Sequence, residues 1–142
     1  MNGIEFLISE HEHLRHSLMD ITLDSQEDNK QKKFDFLCNE LVRHEKMEHE
    51  VWYPLFQDKI SEEVRHLISE EKHAENTIKQ LNEIENRQEW EDKFSKFRQA
   101  VERHAKEEED NLFPEVKKLL SESDLEQVGV KMYQFKKDHP IS

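Results

Sequence analysis

The sequence predicts an all-α protein: an up-down-up-down four-helix bundle with a short extra helix at the C-terminal end. Three observations carry this. Only 2 glycines and 3 prolines fall in 142 residues, so little in the chain breaks a helix. Charged residues make up 38% and hydrophobic residues 34%, a balance that reads as long amphipathic helices when breakers are this few. The apolar residues recur at intervals of three and four, without the alternation a strand needs.

Ile4, Leu7, Leu14, Leu18 and Ile21 keep the helical spacing, with His11 at a seam position, and predict a helix over 4–22. The stretch TLDSQEDNK is polar and turn-rich and reads as a loop. Phe34, Leu37, Leu41, Val51 and Leu55 mark a second helix over about 31–58. Ser61 caps a third over about 62–85, with Glu62 and Glu63 in its first turn, carried by Leu67, Ala74, Ile78 and Leu81. After a short turn at Asn86 and Arg87, Phe94, Phe97, Val101, Leu112 and Leu119 mark a fourth over about 89–120. Ser123 and Asp124 open a final helix over about 123–138, although its Gly129 is a poor helix former. The expected organisation is one domain over 1–142, its bundle spanning about 4–120.

Composition narrows the function. A single cysteine, Cys38, excludes an intrachain disulfide and any cysteine-built zinc or iron–sulfur site. No run approaches the ~18 apolar residues of a membrane span, and the N-terminal MNGIEFLISEHEHL does not have the layout of a signal peptide. A cytoplasmic location with no membrane partner is therefore expected. With 33 acidic residues against 21 basic, nucleic acid is not an expected partner. The anomaly is the count of nine histidines.

The second and fourth helices repeat one another. A shift of 60 residues brings Arg43, His44, Lys46, Glu48 and Pro54 onto Arg103, His104, Lys106, Glu108 and Pro114, and Tyr53 onto Phe113. His11 and His73 repeat at 62. On a wheel at ~100° per residue with Leu37 at zero, His44 lies at about 340° and Glu48 at about 20°. Both are inside the apolar stripe, and His104 and Glu108 take the same angles counted from Phe97. His11 falls among Leu7, Leu14 and Leu18; His73 lies toward the edge of its stripe. A carboxylate in a core is costly unless compensated, and positions i and i+4 share one helix face. Each HxxxE thus presents a nitrogen and an oxygen to one point, and a metal ion compensates all of them together. The depths agree: His44 lies about 13 residues into its helix, ~20 Å, and His11, His73 and His104 reach similar levels in an antiparallel bundle. The competing reading of each pair is a buried hydrogen-bonded His/Glu couple, which the exact repetition of the pattern disfavours. His13, His16, His49, His66 and His139 read as surface residues, and Trp52 and Tyr53 as packing or the mouth of a pocket.

The order His…HxxxE…His…HxxxE, with Tyr53-Pro54 and Phe113-Pro114 following each HxxxE, resembles the hemerythrin-like, or HHE cation-binding, family. The resemblance implies a non-haem pair of iron ions, joined by an oxo or hydroxo bridge, inside the bundle. It implies His11, His44, Glu48, His73, His104 and Glu108 as ligands, with Glu48 and Glu108 bridging. Oxygen-carrying members have a further histidine four residues after the one on the third helix, where this chain has Thr77. Other members have HExxE on the second helix, which His44-Glu45-Lys46-Met47-Glu48 fits, making Glu45 a seventh ligand. The implied function is binding of O₂, NO or peroxide for sensing, storage, transport or stress defence, with an electron-donor protein as a further partner. The alternatives are a di-iron oxidase, peroxidase or NO reductase, and a metal-free helical interaction module.

Overall fold

The computed structural model describes residues 1–141. Its helices are α1 (Gly3–Leu23), α2 (Glu27–Met47), α3 (Ser61–Glu83), α4 (Arg87–Glu107), α5 (Phe113–Leu119) and α6 (Glu122–Asp138). No strand occurs among the described residues, and none of these helices is long and apolar enough to cross a membrane. Helices α1 and α2 pack as one antiparallel pair and α3 and α4 as another, and α6 folds back to lie along α1 and touch α2. The all-helical class and the extra C-terminal helix are as the sequence predicts.

Several boundaries differ from the periodicity; Ser61, expected as a cap, is the first residue of α3, and Ile60 precedes it without a side-chain cap. Helix α2 begins at Glu27 rather than near 31, because its polar first turn is anchored: Lys30 buries its stem and its Nζ meets Glu91 Oε1 at 2.8 Å. Neither HxxxE helix runs on as a plain α-helix. Each widens into a π-helical turn, Glu48–Trp52 and Glu108–Leu112, closed by hydrogen bonds in which Tyr53 N donates to Glu48 O and Phe113 N to Glu108 O. The first turn leads into a 3₁₀ segment, Tyr53–Leu55, and the second into α5. Pro54 and Pro114 explain the position. A proline inside a helix has no N–H and crowds the carbonyl four residues back, and a widened turn just ahead of it relieves both.

The apolar side chains form two clusters at different heights. One gathers Ile4, Leu7, Trp52, Leu67, Phe113 and Val116 with Val128 and Met132 of α6. The other gathers Leu14, Leu18, Phe34, Leu37, Phe94 and Phe97. Along every bundle helix the change from one cluster to the other falls at a His or Glu of the polar set: His11 on α1, His44 on α2, Glu71 on α3, and His104 and Glu108 on and just after α4. The bundle therefore has apolar ends and a polar waist.

Both glycines of the chain lie where α1 starts across α6. A Cβ on Gly3 would sit 2.4 Å from Val128 Cγ1, and one on Gly129 2.4 Å from the carbonyl oxygen of Met1. Gly129 is in α6 for close approach, which outweighs its poor helix propensity. The N-terminus is fixed there by a capping box: Asn2 Oδ1 accepts from Glu5 N, and Glu5 Oε1 accepts from Asn2 N.

Candidate metal centre

The waist brings together His11, His44, Glu48, His104 and Glu108. His44 Nε2 lies 3.1 Å from Glu48 Oε1 and His104 Nε2 2.8 Å from Glu108 Oε1. His11 Nε2 lies 3.7 Å from Glu108 Oε2, and its ring is 5.5 Å from that of His44. Glu48 is 1% and Glu108 0% exposed, yet none of their four carboxylate oxygens has a hydrogen-bond partner. Close contact without hydrogen-bond alignment is what i and i+4 side chains show when both aim at a shared point. A buried carboxylate with nothing to satisfy it is costly, and a cation between the residues removes that cost. The donors are nitrogen and oxygen with no sulfur, a set that suits iron, manganese or zinc. By chemistry and geometry these residues fit a metal centre.

The third helix contributes differently. His73 is exposed, at the wall of a cavity of about 290 Å³, and is not gathered with the buried set. Glu71 is 5% exposed and points inward: its Oε1 lies 4.0 Å from His104 Nε2. Tyr53 Oη donates to Glu71 Oε1 at 3.0 Å, and His49 Nε2 lies 2.7 Å from Glu71 Oε2. The wheel could have found Glu71, since it falls between Leu67, Ala74 and Ile78 on the apolar stripe. Tyr53 reaches it because of the π turn. One extra residue per turn retards helix phase by roughly 100°, which swings Tyr53 from the outer face into the interior. Glu45 is half-buried at the same cavity, where burial and the charges of Glu71 and Glu75 push its carboxyl up to about 9.

A shell of carboxylates backs the histidines. His11 Nδ1 pairs with Glu109 Oε2 at 2.8 Å, and Arg15 donates to the other oxygen of Glu109 at 2.9 Å. His104 Nδ1 pairs with Glu70 Oε1 at 3.2 Å. His44 Nδ1 lies 3.6 Å from Glu10 Oε1, and Lys136 of α6 holds the other oxygen of Glu10 at 2.7 Å. Carboxylates behind imidazoles orient the rings and raise their basicity as ligands. Glu70 also belongs to a group with the exposed His66 and the half-buried Glu107, whose donor atoms lie within 4.8 Å of one another.

In the metal-free cage, protons hold the negative charges together. Burial acts against protonating His44 and His104, but the adjoining carboxylates outweigh it: His44 is raised well above its ordinary value and His104 to about 10. Burial and the charge of Glu108 raise Glu48. His11 goes the other way, to about 4, through burial and the charge of His44. Burial, with the charges of Glu48, Glu108 and Glu71, pushes the Tyr53 phenol upward, so it stays a hydrogen-bond donor.

The profile of the Hemerythrin HHE cation binding domain matches residues 2–116. Among solved structures, the chain resembles a Hemerythrin HHE cation binding domain-containing protein from Mycobacterium kansasii. The TM-score is 0.88 at 22% sequence identity, covering 98% of this chain and 87% of the other. That identity supports the fold and leaves the site to be argued from this chain's own residues. No curated protein matches the chain.

Proposed function

This chain belongs to the hemerythrin HHE cation-binding domain family, and on that premise we propose that its waist holds two iron ions that bind O₂, NO or peroxide. The observation that carries the reading is the pair of fully buried, unpartnered carboxylates, Glu48 and Glu108, each beside the imidazole of its own HxxxE. His11, His44 and His104 would supply nitrogen, and Glu48 and Glu108, lying between the two halves, would bridge. Two irons in such a site supply one electron each to a small oxidant. The residues of this chain do the rest. Glu109 and Glu70 hold the rings of His11 and His104 by hydrogen bonds, and Glu10 places its charge 3.6 Å from His44 Nδ1. Leu14, Leu41, Ala74, Ile78 and Val101 form the apolar part of the cavity wall, beside Glu45, Glu71 and His73, and the space of about 290 Å³ admits a diatomic molecule.

One observation favours a turnover enzyme as the second reading. Tyr53, Glu71 and His49 form a hydrogen-bonded line from the buried waist to an exposed imidazole, along which a proton can be delivered. The two readings part on consumption of peroxide or NO with a reductant present, against binding alone.

The test is metal analysis with the visible spectrum, on full-length protein loaded anaerobically with ferrous iron and then given air or NO. About two irons per chain, near-ultraviolet charge-transfer absorption and a shift on adding NO are expected, and Glu108→Ala should lower the iron content. A folded protein that takes up no iron would sink the proposal.

A further inference from the structure

The two halves of the chain share one register of elements. Helix α2 and α4 correspond end to end at an offset of 60 residues, as do the two π turns and the last residues of α1 and α3. At that offset His44 maps to His104, Glu48 to Glu108 and Glu10 to Glu70, and the roles match: Glu10 backs His44 and Glu70 backs His104. The same offset places His11 on Glu71; His73 falls on His13, which is exposed and pairs with Glu40.

The correspondence continues outward, with acid and base exchanged. In one half His11 is inside and its outer partner, 2.8 Å away, is Glu109. In the other half Glu71 is inside and its outer partner, 2.7 Å away, is His49, which occupies the position equivalent to Glu109. The neighbouring aromatic follows the exchange. Phe113 stacks on His11 with ring centroids 6.0 Å apart, and its equivalent, Tyr53, carries the hydroxyl that Glu71 needs as a donor. The inner positions also agree: His11 lies against His44, and Glu71 lies 4.0 Å from the equivalent His104.

We propose that Glu71 is the metal ligand contributed by α3, so that the two ions sit in unlike halves, one completed by imidazole and the other by carboxylate. This rests on the reading that the waist binds a metal pair. Each oxygen of Glu71 has one outer donor, Tyr53 or His49, and a carboxylate oxygen has a further lone pair, so Glu71 can ligate without giving up either partner. The donor set becomes three imidazoles and three carboxylates. The added anion favours a harder, more oxidised ion in the α3 half, so the two ions respond differently to an incoming ligand.

The experiment compares Glu71→Gln, Glu71→Ala, His73→Ala and the double exchange Glu71→His with His49→Glu, all as full-length protein loaded with ⁵⁷Fe²⁺. Iron content and Mössbauer spectra are read. Wild type should show two iron environments. Glu71→Ala and Glu71→Gln should lose about half the iron, while His73→Ala keeps it all. The double exchange, which gives both halves the His-inside arrangement, should restore full iron content and bring the two environments together. Helicity and thermal unfolding of each metal-free variant separate loss of a ligand from loss of fold, and Glu71→Gln, nearly isosteric, covers the case where alanine disrupts packing. The proposal is overturned if His73→Ala loses iron while the Glu71 variants keep it, or if wild type shows equivalent irons. Wild type that binds no iron would instead overturn the reading beneath it.

Discussion

Replacing Gly129 by alanine sets two effects of known size against each other. Inside an exposed helix the change would stabilise by about 1 kcal/mol, because alanine is the better helix former. Here the new Cβ would stand 2.4 Å from the carbonyl oxygen of Met1 and 2.9 Å from the carbonyl carbon of Asn2, where real contacts essentially never fall below 3.0 Å. The obstacle is backbone, so the N-terminal segment must retreat by at least 0.6 Å. Overpacking of this kind costs about 1–3 kcal/mol. Moving Asn2 also strains the capping box of α1, a feature worth about 1 kcal/mol. The net expectation is destabilisation by about 2 kcal/mol, or a fall in Tm of roughly 6 °C at this chain length. Thermal unfolding of metal-free protein is the right assay, since bound metal would add stability of its own. A Gly129→Ala protein that melts higher than wild type would show that propensity alone governs the site, and would refute the close crossing of α1 and α6.

Three further expectations concern the waist. Glu48→Gln should abolish binding of the metal pair and lower the pKa of His44 in the metal-free protein, because the carboxylate 3.1 Å away helps to hold the His44 proton; iron content and an NMR titration of the imidazole check both halves of that statement. Loading should release protons, about one from each of His44 and His104, since both stay protonated at neutral pH and a ligating imidazole must be neutral; a pH-indicator dye in weak buffer reads the release, and apparent affinity should rise with pH up to about 10. Lys136→Met should destabilise the metal-free protein at neutral pH and make its stability less dependent on acid. Burial pushes the Glu10 carboxyl up, but His44 and Lys136 outweigh it and bring it from 4.5 to about 2, so the stability it contributes is present above pH 4.5 and lost as pH falls toward 2. Without Lys136 the carboxyl is lowered less, so less stability is lost below pH 4.5, and the stabilities of variant and wild type should converge as pH falls toward 2, read by denaturant unfolding at a series of pH values.

Much of the bundle can be read from the sequence, because helical burial leaves a three-and-four spacing. His44, Glu48, His104 and Glu108 can be read for the same reason: they interrupt an apolar stripe, twice, in one pattern. The π turns leave no such trace. They change which carbonyl each N–H bonds, not which residue types occur, and only the two prolines mark the place. Glu71 was within reach of the wheel, but the expectation of a histidine on α3 draws attention to His73, two residues outside the repeat. The outer carboxylates Glu10, Glu70 and Glu109 are hidden for a statistical reason. Among 33 acidic residues, no single one stands out until its neighbours in space are known.

The return of α6 across the molecule has a mechanical consequence. The first half of the chain supplies half of the inward donors and the second half the rest, and between Leu55 and Ser61 a short turn joins them. Such a division invites partners to trade halves, since a cage rebuilt from two chains would contain the same contacts as a cage built from one. Helix α6 adds to what must break before that trade can start. It leaves the end of the second half and fastens onto α1, through the glycine crossing at one end and the Lys136–Glu10 pair at the other. It acts as a buckle that has to open before the two halves can part.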